Sequence, residues 1–197
     1  MNKKRIVTLV GAGVIGAGWA ARMLANGIIV KVYDPSKKAR KQLLLNTKKA
    51  LKSLKRIGLN KNAKISNLKI FSNLTDSLLS TTFVQENAPE NENLKKKLLK
   101  EIDNQLPKNI IIASSSSGLL PTRIQSLCKY PERICIGHPF NPVYLLPLVE
   151  LVSGKKTKKK TISDAKKFYE EIGMKPLIVK KEIEGYISDH LQEALWR

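Results

Sequence analysis

Three glycines near the N-terminus constrain the fold of this chain more than any other feature. They lie in the segment Gly11-Ala-Gly-Val-Ile-Gly16, which follows a β-branched run from Arg5 to Val10 and precedes a helical pattern that stops at Asn26-Gly27. A second apolar run, from Ile28 to Tyr33, ends at Asp34. This order of strand, glycine loop, helix and strand predicts a dinucleotide-binding unit rather than an isolated glycine-rich turn.

Each part of this segment has a physical role in holding a dinucleotide. Gly11 permits a tight turn, Gly13 lets the backbone approach the pyrophosphate, and Gly16 lets the helix pack closely on the strand. Free N–H groups at the helix N-terminus would hold the phosphates. Asp34 would accept hydrogen bonds from the ribose hydroxyls and repel a 2′-phosphate, which favours NAD over NADP. The predicted cofactor-binding residues here are Gly11, Ala12, Gly13, Val14, Ile15, Gly16 and Asp34.

The chain is strongly basic, with 36 Lys and Arg against 16 Asp and Glu and a net charge of +20. A basic patch can bind nucleic acid. However, the basic residues that follow Asp34 alternate with apolar residues at helical spacing, which predicts a helix with one apolar stripe and one solvated face. The predicted stripe consists of Ala39, Leu43, Ala50, Leu54 and Ile57. Aromatic side chains for base stacking are scarce there. We therefore expect no nucleic-acid partner. The alternative role for this positive charge is to attract an anionic cofactor or substrate. Because Lys37, Lys38 and Arg40 lie close to Asp34 in the sequence, NADP remains an alternative cofactor.

The rest of the chain alternates short apolar runs with helical patterns. Strands are predicted at residues 68–71, 82–85, 109–114, 133–137, 146–152 and 177–179, and helices at 75–79, 93–105, 162–172 and 183–196. This alternation predicts a doubly wound α/β fold of the Rossmann type with a mostly parallel sheet. No apolar run has the length that a bilayer requires, so we expect a soluble, cytoplasmic protein without a membrane partner.

Polar residues follow two of the predicted strands at their carboxyl ends. The loop from Glu86 to Glu90 follows the fourth strand, and four serines, Ser114 to Ser117, follow the fifth. Ligands bind at the carboxyl ends of the strands in open parallel sheets. We therefore expect both loops to approach the glycine loop, and the serines to hold substrate or nicotinamide, although a polar turn is the alternative.

The stretch from Gly137 to Glu150 carries the residues best suited to proton transfer. It contains His138, one of 2 histidines in the chain. Histidine titrates near neutrality and can take and return a proton. A carboxylate on a neighbouring strand, here Glu150, would fix the tautomer of the ring and stabilise its charged form. The alternative is a core histidine that is paired with a buried glutamate by chance.

Three stretches together resemble the 3-hydroxyacyl-CoA dehydrogenase family. They are Ser114-Ser-Ser-Ser-Gly-Leu-Leu-Pro121, the stretch from Gly137 to Glu150, and Lys181-Glu-Ile-Glu-Gly185 with the following Glu193-Ala-Leu-Trp-Arg197. The resemblance implies an NAD-dependent dehydrogenase of secondary alcohols that functions as a homodimer. It assigns His138 as the catalytic base, Glu150 as its partner, Ser117 as a contact of the substrate oxygen and nicotinamide, and Asn141 as the asparagine beside the site. In the expected reaction Ser117 and Asn141 hold the substrate oxygen. It also implies that Glu90 and Lys95 contact NAD.

One dipeptide departs from the family pattern. This chain has Asp189-His190 where the family usually has Asn-Arg. A carboxylate at this position fits a cationic substrate better than an acyl-CoA, because it would attract a trimethylammonium group. Within the family, the chain most resembles the members that oxidise L-carnitine, so the resemblance implies L-carnitine as the substrate, with a 3-hydroxyacyl-CoA or L-gulonate as alternatives. Asp189 could equally bond to a helix of a further domain.

The domain organisation follows from the same resemblance. Residues 1–182 are predicted to form the NAD-binding domain, and residues 183–197 to begin a helical second domain that dimerises and closes the cleft. The chain stops inside a helical pattern without a stop signal, so we expect most of this second domain to be absent. An NAD-binding module without turnover is the corresponding alternative.

Overall fold

The computed structural model describes residues 5–58 and 63–196, so predictions that involve Arg197 lie outside the described residues. The strands are β1 (Ile6–Val10), β2 (Ile29–Tyr33), β3 (Leu68–Phe71), β4 (Phe83–Glu86), β5 (Ile111–Ser114), β6 (Ile134–Pro139), β7 (Leu148–Ser153) and β8 (Lys175–Val179). The helices are α1 (Val14–Ala25), α2 (Lys37–Arg56), α3 (Leu74–Leu78), α4 (Glu92–Gln105), α5 (Pro121–Ile124), α6 (Lys159–Glu171) and α7 (Ile187–Trp196). The predicted α/β class of mostly parallel strands is confirmed.

The chain forms two compact units. The first unit comprises Met1–Ala88 and Pro139–Pro147, and the second comprises Pro89–His138 and Leu148–Arg197. In the first unit the strand order is β3-β2-β1-β4, and every pair of neighbours is parallel. In the second unit the order is β5-β6-β7-β8, and both β5 with β6 and β7 with β8 are parallel.

The helices of the first unit differ in how much of their surface is buried. Every residue of α1 from Gly16 to Ala25 is buried, as its apolar composition predicts. In α2 only Leu43, Thr47, Ala50 and Leu54 are buried. Their spacing of three or four residues defines one stripe, and Ala50 and Leu54 pack with Ala21 and Ala25 of α1. The prediction of one apolar stripe and one solvated face is therefore confirmed for Leu43, Ala50 and Leu54. It is wrong for Ile57, which follows the last helical residue and is 55% exposed, and Ala39 is only partly buried.

In the second unit a glycine sets the distance between β6 and α6. A Cβ atom at Gly137 would overlap the hydroxyl of Tyr169, which is fully buried. Because only glycine fits, β6 lies against the side chain of Tyr169 in α6, and the next residue, His138, lies near the end of the strand. Local packing thus places the histidine at the carboxyl end of its strand.

An ion pair anchors the beginning of β6. Arg133 and Asp103 are 3% and 0% exposed, and Nη2 lies 2.7 Å from Oδ1. The second carboxylate oxygen accepts hydrogen bonds from the amides of Lys129 and Tyr130 at 2.6 and 3.0 Å. Buried charges are stable only when they are paired and hydrogen-bonded in this way. The pair ties the last turn of α4 to the segment that enters β6.

The prediction of a helix from residue 183 is wrong at its start. Gly185 has φ +62°, a left-handed conformation that interrupts a helix, and α7 begins at Ile187. Instead, the amides of Gly185 and Tyr186 donate to the carbonyls of Gly118 and Ser117 at 3.3 and 3.4 Å. The segment before α7 is thus held against the serine loop.

Removal of the Asp103 carboxylate tests this account of the second unit. We expect Asp103→Ala to lower the free energy of unfolding by about 3–5 kcal/mol, because it leaves Arg133 buried without a counter-charge. Urea denaturation followed by circular dichroism measures the change. The matched control is Asp164→Ala, which breaks the exposed pair with Lys160 and should lower it by about 0–1 kcal/mol. Equal losses in the two variants would contradict a structural role for the buried pair.

Candidate active site

A histidine and a glutamate from adjacent strands form the centre of the site. Nδ1 of His138, near the end of β6, lies 2.9 Å from Oε2 of Glu150 in β7. The side chains are 13% and 1% exposed. A carboxylate can only accept, so Nδ1 carries the hydrogen and the lone pair of the neutral ring is on Nε2. The pairing expected from the sequence is present, and it makes Nε2 the basic atom.

Glu150 is stabilised as a carboxylate by further donors. The amide of Ser188 donates to Oε1 at 3.1 Å, and its hydroxyl donates to Oε2 at 2.8 Å. Burial opposes the charge, but the hydrogen bonds from His138 and Ser188 outweigh it and hold the pKa of Glu150 below its ordinary value. Glu150 is therefore ionised at neutral pH, as a partner for an imidazolium ion must be.

A second glutamate organises the serine loop after β5. Oε1 of Glu90 accepts from the hydroxyl of Ser116 and from the amides of Ser117 and Gly118, the amides at 3.1 and 3.2 Å. Its other oxygen lies 3.6 Å from Nζ of Lys95, which is 1% exposed. Burial raises the pKa of Glu90, but these donors and the ammonium lower it further than burial raises it. The carboxylate thus fixes the backbone that carries Ser117.

Tyr186 and Asp189 are further neighbours of the histidine in the second unit. The ring of Tyr186 lies 5.9 Å from that of His138, and its hydroxyl donates to the carbonyl of Leu119 at 2.6 Å. Burial, followed by the charges of Glu90 and Glu150, raises the pKa of Tyr186 above its usual range. Burial also raises the pKa of Asp189, and its electrostatic neighbours include His138, Glu150 and Glu90. The histidine therefore lies among carboxylates in a chain whose net charge is +20.

The glycine loop lies in the first unit and has the shape that a dinucleotide requires. Gly11 has φ +109°, and a Cβ there would lie 2.6 Å from the carbonyl oxygen of Asn87. A Cβ at Gly16 would overlap the carbonyl of Gly11, whereas one at Gly13 would meet nothing within 4 Å. Gly13 caps α1 without a side-chain hydrogen bond, so no cap side chain occupies the first-turn amides. The residues present fit a pyrophosphate at this helix terminus.

Asp34 is oriented at the end of β2 by two backbone amides. Oδ2 accepts from Ala12 and Oδ1 from Ser36, both at 2.8 Å. Each oxygen retains a further lone pair, so the carboxylate can still accept from ribose hydroxyls. The guanidinium of Arg40 donates to the carbonyls of Asp34 and Pro35 at 2.5 and 3.0 Å. This cation is directed at backbone oxygens, which weakens the case for a 2′-phosphate site.

Asn141 also lies in the first unit. It is exposed, it precedes a cis peptide bond to Pro142, and it lines a cavity of about 340 Å³. The other residues lining this cavity are Val14, Ala17, Gly18, Asn46, Lys49, Ala50, Pro142 and Tyr144. The structure therefore places the amide beside α1 and α2, and its predicted contact with the substrate oxygen stays a prediction.

Two contributors to the site are not found by sequence reasoning. Ser188 gives Glu150 two hydrogen bonds, and its partner is 38 residues away, so no local signal points to it. Ser116, rather than Ser117, provides the hydroxyl that binds Glu90. Within a run of four identical serines the sequence offers no signal for which hydroxyl points inward, apart from the two-residue period of a strand.

Comparison with known proteins identifies the family. Residues 6–183 match the family described as 3-hydroxyacyl-CoA dehydrogenase, NAD binding domain. The chain belongs to this family. The resemblance noted in the sequence is thereby confirmed, and the matched family confirms NAD as the cofactor of such a domain.

Three known proteins are similar to most of this chain. It is 44% identical over 196 residues to an L-carnitine dehydrogenase of Bacillus cereus, covering 100% of this chain and 60% of the relative. It is 47% identical over 188 residues to an L-carnitine dehydrogenase of Burkholderia mallei, covering 95% of this chain and 59% of the relative. The solved structure of FHMPC 5-dehydrogenase, an NAD⁺-dependent dismutase, has a TM-score of 0.92 at 29% identity and covers 99% of this chain and 63% of that protein. The chain thus spans less than two thirds of each.

The depressed pKa of Glu150 gives a pH-dependent prediction. A carboxylate whose pKa is lower in the folded state contributes stability above its unfolded pKa, and this stability is lost as the pH falls through the folded value. We therefore expect Glu150→Gln to lower the free energy of unfolding by about 1–3 kcal/mol at pH 7, and by progressively less as the pH falls below about 4.3. Urea titrations at several pH values measure the difference.

A matched control separates the buried carboxylate from a general effect of charge. Glu170→Gln removes a carboxylate that is 47% exposed and paired with Lys166 on α6. Its effect should be near zero at every pH, because exposed pairs contribute little. A Glu150→Gln difference that does not change with pH would contradict the assignment of an ionised, hydrogen-bonded Glu150.

Proposed function

We propose that the whole protein catalyses the NAD-dependent oxidation of the 3-hydroxyl group of L-carnitine to 3-dehydrocarnitine. The observation that carries the proposal is the His138–Glu150 pair, in which Nδ1 is held by a carboxylate at 2.9 Å, so that Nε2 is the basic nitrogen. The identity to L-carnitine dehydrogenases over nearly the whole of this chain supports the substrate.

In this reaction His138 acts as the general base. Its Nε2 removes the hydroxyl proton, and Glu150 stabilises the resulting imidazolium ion. The glycine loop and Asp34 would hold NAD, which would supply the hydride acceptor for the carbon that bears the hydroxyl group. Ser117, on the loop fixed by Glu90, and Asn141 hold the substrate oxygen. The carboxylate of Glu150 stays ionised throughout, because its hydrogen bonds favour the charged form.

The charges around the histidine favour a cationic substrate. Glu90, Glu150 and Asp189 all act electrostatically on Tyr186, which neighbours His138. Asp189 is half-buried, and attraction between opposite charges strengthens when water is excluded. A trimethylammonium group would be attracted to this environment, whereas the uncharged acyl chain of a 3-hydroxyacyl-CoA would gain no such attraction. This difference is the physical reason to place L-carnitine ahead of a 3-hydroxyacyl-CoA.

Each of the two units has its own set of proposed cofactor contacts. They are Gly11, Ala12, Gly13, Val14, Ile15, Gly16 and Asp34 in the first unit, and Glu90, Lys95 and Ser117 in the second. The open space at Gly13 and the orientation of Asp34 support the contacts of the first unit. In the second unit Glu90 is 41% exposed, which supports its contact with the cofactor, whereas the contact of Lys95, which is 1% exposed and 3.6 Å from Glu90, stays a prediction.

The remaining features of the proposal concern domains and partners. Helix α7 exposes Ile187, Leu191 and Leu195 by 48%, 60% and 76%, one apolar stripe at helical spacing. This supports the proposal that residues 183–197 begin a helical domain through which the protein dimerises. Among the described residues, no helix is both long and apolar enough to cross a membrane. A cytoplasmic location is part of the proposal.

Replacement of the proposed base tests the function most simply. We expect His138→Gln in the whole protein to lower kcat by about two to four orders of magnitude, because glutamine keeps a polar side chain but cannot accept the proton. Formation of NADH from L-carnitine, followed by absorbance, measures it. NAD affinity should be unchanged within about twofold, since the variant leaves the glycine loop intact. Retention of most of the activity would end the assignment of His138.

A substrate panel separates the candidate activities. L-carnitine, a 3-hydroxybutyryl-CoA and L-gulonate are compared at equal concentration with NAD. We expect the highest kcat/KM for L-carnitine, and we expect Asp189→Asn to lower that value at least about tenfold through the loss of an attractive charge. Turnover of only the CoA thioester or only L-gulonate would refute the substrate. NAD binding without turnover of any of the three would favour a binding module.

Asp34 gives a prediction about cofactor choice. We expect the wild-type chain to bind NAD more tightly than NADP, and Asp34→Ser to weaken NAD binding while reducing the preference, because the ribose acceptor and the repulsive charge are both lost. Isothermal titration calorimetry with each nucleotide measures both constants. Lys37→Ser, at the first residue of α2, is the control and should leave the preference unchanged. An unaltered ratio in Asp34→Ser would remove Asp34 from the cofactor site.

A further inference from the structure

The carboxylate of Glu150 is shared between two elements of the second unit. His138 in β6 donates to Oε2 at 2.9 Å, and the hydroxyl of Ser188 in α7 donates to the same oxygen at 2.8 Å. The amide of Ser188 donates to Oε1 at 3.1 Å. Since the side chain of Glu150 is only 1% exposed, these groups replace the water that would otherwise solvate the charge.

Ser188 is well placed to hold this carboxylate because the segment before it is anchored. Oε2 of Glu182 accepts from the amide of Thr122 at 3.0 Å, and Oε1 accepts from the Thr122 hydroxyl at 2.5 Å. Tyr186 donates through its hydroxyl to the carbonyl of Leu119 at 2.6 Å. These bonds fix the position of the first turn of α7 relative to the loop after β5. The hydroxyl of Ser188 is thereby presented at a defined position.

The two donors on Oε2 both interact with the negative charge of that oxygen, so each weakens the interaction of the other. A donor hydroxyl directs the positive end of its dipole at the carboxylate and neutralises part of its charge. The charge left for the imidazole is therefore smaller than that of a carboxylate bound by His138 alone. The hydroxyl at the same time restricts rotation of the carboxylate, which keeps Oε2 directed at Nδ1.

We propose that Ser188 is a positioning residue of the candidate catalytic pair: it orients Glu150 and limits how strongly that carboxylate stabilises the protonated ring of His138. The inference rests on the proposed function only in treating His138 as the base. Its consequence is that the first turn of α7 acts on proton transfer at His138. Ser188 acts through Glu150 and, in this proposal, does not contact the substrate.

Other titratable groups surround the pair and remain constant in the test. Asp189 follows Ser188 in α7, Tyr186 precedes it, and Glu90 lies on the loop after β4. His190 is a further electrostatic neighbour of Asp189. The Ser188→Ala substitution alters none of these groups, so a change in the titration that Ser188→Thr reverses is attributed to the hydroxyl.

The experiment compares Ser188→Ala with Ser188→Thr by NMR. Alanine removes the hydroxyl but keeps the amide donor, whereas threonine keeps both. The chemical shifts of the imidazole protons are followed against pH in the 197-residue chain, and His190→Gln identifies the signals of His138. We expect the midpoint of the His138 titration to rise by about 0.5 pH unit or more in Ser188→Ala, because the carboxylate then acts more fully on the imidazolium. Ser188→Thr should restore the wild-type midpoint.

Controls distinguish this role from a structural one. Gln192→Ala lies on the exposed face of α7 and should not move the midpoint. A merely structural serine would lower the melting temperature in Ser188→Ala without a shift that threonine reverses. A midpoint that is unchanged in Ser188→Ala, or shifted equally in alanine and threonine variants, would overturn the proposal.

Activity separates this inference from the proposed function. In the whole protein, the acidic limb of kcat/KM against pH should move upward in Ser188→Ala by the same amount as the NMR midpoint. If the NMR midpoint moves and the acidic limb does not, the role of Ser188 towards the pair stands and the assignment of His138 as the base fails. If neither moves, the role of Ser188 is refuted and the proposed function is untouched.

Discussion

The hydrogen bond between Nδ1 of His138 and Oε2 of Glu150 is the interaction on which the rest of the site depends. It fixes the ring orientation and the nitrogen that carries the hydrogen, because a carboxylate can only accept. It is possible only because β6 and β7 are neighbours in the second unit. The glycine at 137 lets β6 lie close to α6, so the position of the imidazole follows from backbone packing rather than from a flexible loop.

The negative charges of two glutamates lie near the histidine and must be stabilised. In this structure hydrogen-bond donors stabilise them more than the abundant lysines do. Glu150 is held by His138 and Ser188, and Glu90 by the serine loop and Lys95. In both cases burial disfavours the ionised carboxylate, and the hydrogen bonds favour it more strongly. The excess of basic residues on the solvated face of α2 therefore coexists with a negative environment around the candidate base.

The sequence predicts those features that depend on local pattern. The glycine fingerprint predicts β1, α1 and β2, and glycine punctuation around His138 together with the apolar run before Glu150 predicts two adjacent strands. Long-range donors are not predictable: Ser188 lies 38 residues from Glu150, and Ser116 lies 26 residues from Glu90. Helix α5 is not predicted, because its four residues are too few to show a helical period. The start of α7 is predicted too early because the spacing of apolar residues does not reveal the positive φ of Gly185.

The tautomer of His138 is the most direct test of the central claim. Two-bond ¹⁵N–¹H correlation spectra of the neutral ring distinguish a hydrogen on Nδ1 from one on Nε2. The geometry predicts the Nδ1–H form in the wild-type chain and a mixture in Glu150→Gln, where the side-chain amide can also donate. A wild-type ring that carries its hydrogen on Nε2 would contradict the account, because the nitrogen assigned as the base would then have no lone pair to accept a proton.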